Sequence, residues 1–227
     1  MKRGFTILAI VTGLLLSFAL YEALIAAPTE RTMGDVQRIF YYHVPSAWTA
    51  FLLFLINFIA SVFFLIRHDS KSDILALVSA EVGVVFCTVV LVTGPIWARP
   101  VWGIWWTWDL RLTLTLVLWL IYVSYLMLRR FSTSSQTPKL AAVLAVFGAL
   151  DIPLVYFSIW FFRTQHPSPV IGNGGSLDPR MAYVLLINWA AFLCLAWLVC
   201  WTRFRLEVLK REVEEAQALE SLLEGPR

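Results

Sequence analysis

The chain has 227 residues, 59% of them apolar, with a mean hydropathy of +0.74. Soluble domains hold about 45–50% apolar residues, so a water-soluble fold of this length is excluded and a bilayer is the solvent that fits. A net charge of +3 comes without the basic face that a nucleic-acid partner requires.

A bilayer core about 30 Å thick needs roughly 20 apolar residues of helix to cross it. Six runs qualify, at about 5–27, 47–66, 74–96, 112–128, 140–162 and 181–201. They predict an all-α membrane protein with six transmembrane helices in a membrane domain over 1–202. No β-barrel alternation appears, which leaves helices as the spanning element. The first run follows Lys2 and Arg3 and ends on Ala26-Ala27, which also fits a secretory signal. Its length exceeds a typical signal core, and it reads as a retained helix.

Basic residues set the orientation. All four lysines, with Arg3, Arg67, Arg129 and Arg130, fall on the side of the N-terminus. That side is therefore expected to be cytoplasmic, together with both termini. The cytoplasmic links are short and polar. The outer loops, 28–46, 97–111 and 163–180, hold Gly, Pro, Trp and two of the three histidines. Loops held by a rigid scaffold commonly carry function. The tail 203–227 places Leu206, Leu209, Val213 and Ala216 at helical spacing and reads as an amphipathic cytoplasmic helix.

Two acids lie inside spans, Glu81 and Asp151, the latter followed by Pro153. Acids within a membrane are costly and are functional candidates by default. Either they mark a route across the bilayer, or they are neutral or paired with a neighbouring helix. Glu22 lies near the outer end of the first span. The three cysteines, Cys87, Cys194 and Cys200, sit in apolar runs without C-x-x-C or C-x-x-C-H. This excludes a self-attached c-type haem and a thiol oxidoreductase motif.

The outer loop 97–111 holds five Trp within twelve residues. An aromatic belt would spread Trp over helix ends on both sides, whereas these crowd one loop. Trp102, Trp105 and Trp106 share helical spacing and predict one face of a short interfacial helix. Such a face suits a planar, polarisable ligand. Asp109 and Arg111 follow, either as a local ion pair or as groups serving a ligand. The planar fork of Arg111 matches a carboxylate.

The stretch Trp102-Gly-Ile-Trp105-Trp106-Thr-Trp108-Asp109-Leu-Arg111-Leu-Thr113 resembles the tryptophan-rich signature of haem-handling proteins of cytochrome c biogenesis. Phe40-Tyr-Tyr-His43-Val-Pro45-Ser-Ala-Trp48 resembles a second signature, that of the haem exporter protein C family, also called cytochrome c maturation protein C. The resemblance runs to about Trp201. Leu110 stands where a small residue or proline is expected. The resemblance implies haem b bound as cargo in the Trp loop, with Trp102, Trp105, Trp106, Trp108, Asp109 and Arg111 around it. It implies delivery to a membrane-tethered periplasmic haem chaperone. It also implies an ATP-binding cassette subunit with its membrane partner, and a small single-span membrane peptide. The chain has no G-x-x-x-x-G-K-[ST] loop, so ATP energy belongs to another subunit.

His43 and His166 flank the Trp loop in sequence, both on the outer side. Neutral imidazole is a standard axial ligand of haem iron, and two such bonds hold a cargo without a covalent tie. The resemblance points to the same pair as the metal ligands. His68, in the Arg67-His68-Asp69 link, reads as a surface residue. Arg38 and Arg99 either reach haem propionates or bind lipid phosphate.

These readings favour a non-enzymatic haem-handling subunit of the bacterial inner membrane. The alternatives are a haem permease, a membrane b-type cytochrome and a haem lyase of the same Trp-signature group. A b-type cytochrome needs histidine pairs deep within spans, which the sequence lacks. Lyases are longer, with more spans and histidines.

Overall fold

In the computed structural model, which describes residues 2–162, 165–166 and 177–224, the regular elements are helices and six helical stretches are long and apolar enough to cross a membrane. The all-α, six-span expectation holds. α1 spans Lys2–Tyr21, α2 Phe40–Arg67, α3 Ser70–Trp102, α4 Leu110–Phe131, α5 Thr137–Ala149, α6 Asp151–Phe161 and α7 Pro179–Glu224. The large apolar side chains facing outward, among them Leu14, Phe63, Val85, Phe147 and Trp197, line helix faces. Lipid tails are the natural partner for such faces.

The ends of the elements depart from the sequence reading for local reasons. α1 finishes in a π-helical turn, Glu22–Ala26, closed by the bond from Ala27 N–H to Glu22 O at 2.8 Å. A widened turn of this kind frees a carbonyl, and Ala23 O accepts from Arg38 Nη1 at 2.9 Å. A short 3₁₀ turn, Asp35–Ile39, leads straight into α2. The loop expected at 28–46 is therefore helical over its second half.

The link from α2 to α3 is shorter than expected. His68 adopts a left-handed conformation (φ 55°) that closes α2, and the Asp69 side chain caps α3 by accepting from Ser72 N–H at 2.9 Å. The result is a tight antiparallel hairpin, the most extensive helix pairing in the fold. At Gly83 a Cβ would come within 2.6 Å of the Phe54 ring, so only glycine permits this approach. Phe54 stacks on Tyr122 of α4 at 3.8 Å and 8°, which joins the hairpin to the next helix. Ala50, Ala80, Ala141 and Ala145 fill the same core and keep the backbones close.

The fifth span is broken. Pro153 has no N–H to give Ala149 O, and Leu150 N–H instead bonds Phe147 O in a tightened turn. α5 and α6 meet there, with Asp151 buried at the junction. The tail expected as a separate unit is the continuation of α7. At 1.5 Å per residue its 46 residues reach about 69 Å, more than twice the hydrocarbon thickness.

Ion pairs fasten that long helix to the bundle. Glu81 receives Arg203 through both carboxylate oxygens at 2.9 Å, so it is paired with a neighbouring helix. Asp73, nearly inaccessible, takes Arg129 of α4 at 2.6 and 2.8 Å and Arg211 of α7 at 2.7 Å. One carboxylate thus joins α3, α4 and α7. Glu22, buried at the other end of the bundle, pairs with Arg180 at the start of α7.

Removing one partner from a buried pair costs about 3–5 kcal/mol. Arg129→Leu is therefore expected to lower the Tm of the detergent-solubilised protein clearly. Arg130→Leu, at an exposed position one residue on, is expected to leave it unchanged.

Candidate functional site

The C-terminal end of α3, the N-terminal ends of α2, α4 and α7, and α6 surround a cavity of about 980 Å³. Ligand pockets run to about 1,000 Å³, so the space suits a large ligand. Its lining brings together His43, His166, Trp102, Trp105, Trp106 and Arg111, and adds Trp97. His68 lies at the opposite end of α2.

His43 sits on the first turn of α2, not on a loop as the sequence suggested, and is 8% exposed. Its Nδ1 meets Thr93 Oγ1 of α3 at 2.9 Å, and its ring contacts Trp97 edge-on at 5.8 Å. His166 and Arg111 lie within electrostatic reach of the same imidazole. His166 itself is half-buried on a non-helical segment. The rest of that expected loop, 163–164 and 167–176, lies outside the described residues.

The expected short Trp helix does not form. α3 runs on to Trp102 and is stopped by Gly103, whose φ of +78° is a left-handed conformation that glycine adopts without cost. Its carbonyl accepts from Arg99, which gives that side chain a local partner. Trp105 and Trp106 follow on irregular backbone, so the three indoles line a wall instead of one helical face. Trp108 packs edge-on against Trp106 at 5.8 Å, but its side is 75% exposed and it does not line the cavity.

Asp109 is a brace. It caps α4 by accepting from Leu112 N–H at 3.0 Å. Its other oxygen accepts from Thr107 Oγ1 and from Gln165 N–H, both at 3.2 Å. The second of these ties the segment carrying His166 to the start of α4. Arg38 is also occupied away from the cavity, bonding Ala23 O, Asp35 and Thr29. Neither residue lines the space. Arg111 does, and its buried Nη1 has no partner among the described residues; nor do the indole nitrogens of Trp97 and Trp106. These three donors are available to an acceptor bound in the cavity.

At the rim, Glu30 accepts from Met33 N–H at 2.5 Å and Thr32 N–H at 2.7 Å. These bonds, that from Met33 foremost, hold its carboxyl below the usual range. Arg31 and Asp178 share the rim. Of the lining residues, Thr93's neighbour Gly94, Gln37 and Trp97 carried no separable signal in the sequence, since the first two sit in unremarkable contexts and Trp97 is one of five crowded indoles.

A family model described as heme exporter protein C matches residues 1–219. The chain belongs to the heme exporter protein C family. A heme exporter protein C of Bradyrhizobium diazoefficiens is 35% identical over 217 residues, covering 94% of this chain and 82% of its own. That of Haemophilus influenzae is 31% identical, covering 91% and 85%. That of Escherichia coli K12 is 30% identical, covering 88% and 82%. Family membership therefore extends over the six spans and the cavity, not over the Trp signature alone.

Asp109→Ala removes a helix cap worth about 1 kcal/mol together with the tether to Gln165. Faster amide hydrogen exchange is expected at both Leu112 and Gln165, read by mass spectrometry; unchanged exchange at Gln165 would show that the tether does not hold.

Proposed function

We propose that this protein holds haem b as cargo in the tryptophan-walled cavity, with His43 and His166 as the axial ligands of its iron, and hands it to a membrane-tethered haem chaperone. Family membership and the six spans give a multi-pass membrane protein with a role in haem handling for cytochrome c maturation. Both histidines line one cavity with the indole wall, and this supports placing the haem there.

Each part of that lining has a task in this reading. The indoles of Trp102, Trp105 and Trp106 offer flat apolar surface to a porphyrin. Arg111 Nη1 is a free donor for a propionate. Haem iron has two axial positions, and imidazoles supply them without a covalent bond, so the cargo can leave. Asp109 and Arg38 act indirectly, the first by positioning His166 and the second by fixing the entry to α2.

The basic residues Lys71, Arg129, Arg130, Lys139 and Lys210 gather at the end of the bundle away from the cavity. The positive-inside rule puts that end in the cytoplasm, and the cavity then opens on the periplasmic side of the bacterial inner membrane, where the chaperone works. An ATP-binding cassette subunit with its membrane partner, and a small single-span peptide, complete the assembly in this account. The role is one of binding and transfer and includes no bond-making on the cargo. Glu81 is engaged with Arg203, which leaves the permease alternative without a free acid there.

The test is purification of the intact chain followed by absorption spectroscopy and haem quantitation. Wild type is expected to carry haem, and His43→Ala and His166→Ala to lose most of it. Full haem content in the double variant would overturn the assignment.

A further inference from the structure

Thr93 lies in the middle of an apolar stretch of α3 and has no place in the tryptophan signature. Its hydroxyl makes two short contacts. Oγ1 stands 2.7 Å from Val89 O, one turn back in the same helix, and 2.9 Å from Nδ1 of His43. A hydroxyl has one proton and two lone pairs. A carbonyl oxygen can only accept, so the 2.7 Å contact with Val89 O, with Val90 O at 3.4 Å beside it, favours the Thr93 proton lying toward the helix carbonyls. Toward His43 the hydroxyl then presents a lone pair, and the proton in that contact belongs to Nδ1.

A neutral imidazole protonated on Nδ1 carries its free lone pair on Nε2. His43 has its Nδ1 partner on α3 and lines the cavity. A Cβ added at Gly94, next to Thr93, would stand 3.5 Å from His43 Cε1, so α3 runs close beside the ring here. Trp97, one turn further along α3, closes on the ring edge-on at 5.8 Å. Thr93 and Trp97, one turn apart on α3, therefore hold the imidazole in place, and Thr93 bears on which nitrogen is available.

We propose that Thr93 is a positioning residue that sets the Nδ1–H tautomer of His43 and so presents Nε2 as the metal-binding nitrogen. This rests on His43 being an axial ligand. Metal-bound histidines commonly donate their other N–H to an acceptor, and losing that acceptor typically costs 10–100-fold in metal affinity. The bond also makes the imidazole a stronger electron donor, which favours ferric iron.

Two measurements test the assignment. The first uses the haem-free wild-type protein labelled with ring ¹⁵N-histidine, with the His43 signals identified by their loss in His43→Gln. A pyrrole-type Nδ1 and a pyridine-type Nε2 are expected; the reverse pattern overturns the proposal with no demand on any variant's folding. The second compares haem-loaded Thr93→Val and Thr93→Ser with wild type. Thr93→Val keeps the shape and loses the acceptor. Its haem is expected to dissociate about 10–100-fold more readily and its reduction potential to rise, whereas Thr93→Ser restores both. If Thr93→Val matches wild type while His43→Ala loses haem, Thr93 has no positioning role and the ligand assignment stands. If His43→Ala keeps its haem, both fall together.

Discussion

The close antiparallel contact of α2 with α3 is the constraint on which the site depends. The hairpin turns at His68 and Asp69, and the two arms can lie flush because Gly83 leaves room for Phe54. His43 and Thr93 are almost equally far in sequence from that turn, and they meet at 2.9 Å. A shift of register by one helical residue would swing the imidazole through about 100° and separate it from both Thr93 and Trp97. The turn chemistry at one end of the bundle thus determines which atoms face the cavity at the other.

Polar groups inside the bundle serve the same end. With little hydrophobic drive between helices in lipid, association relies on packing and on interhelical bonds. Asp73 joins α3, α4 and α7 through two guanidinium groups, and Glu81 joins α3 to α7 through a third. Asn57 of α2 reaches the carbonyl of Ala76 on α3 at 2.7 Å, close to the turn. These bonds lie toward the end remote from the cavity. They leave the cavity end to be shaped by helix termini: the cap at Asp109, the left-handed Gly103 and the π-helical turn after Tyr21.

Much of this was legible in the chain. Six apolar runs gave six spans because a lipid solvent imposes a length that composition reveals directly. The indole cluster and the two flanking histidines marked the site because such residues rarely crowd one segment without a reason. Helix ends were less legible. Phe40 to Ser46 and Trp97 to Trp102 looked like loop because they carry polar and aromatic residues, yet a helix can extend beyond the hydrocarbon into the headgroup layer with its backbone still satisfied. The spacing of Trp102, Trp105 and Trp106 fitted a helix, but Gly103 stops it, and a glycine that ends a helix looks in sequence much like one inside it. Thr93 could not be found from sequence, since its significance exists only once α2 and α3 are in register. Asp109 and Arg38 stood out as charged residues near the signature, and the fold uses both to hold backbone in place.

A cavity that gathers two imidazoles, an indole wall and a guanidinium with an unpartnered Nη1 is unusual in a membrane bundle, and one metal-centred planar molecule could touch all of them. Electron paramagnetic resonance of the purified, haem-loaded ferric protein tests that idea at the metal itself. The account predicts a single low-spin iron with two imidazole ligands, converting to another ligation state when either histidine is replaced. A high-spin, five-coordinate iron in the wild type, or a low-spin signal indifferent to His166, would contradict it.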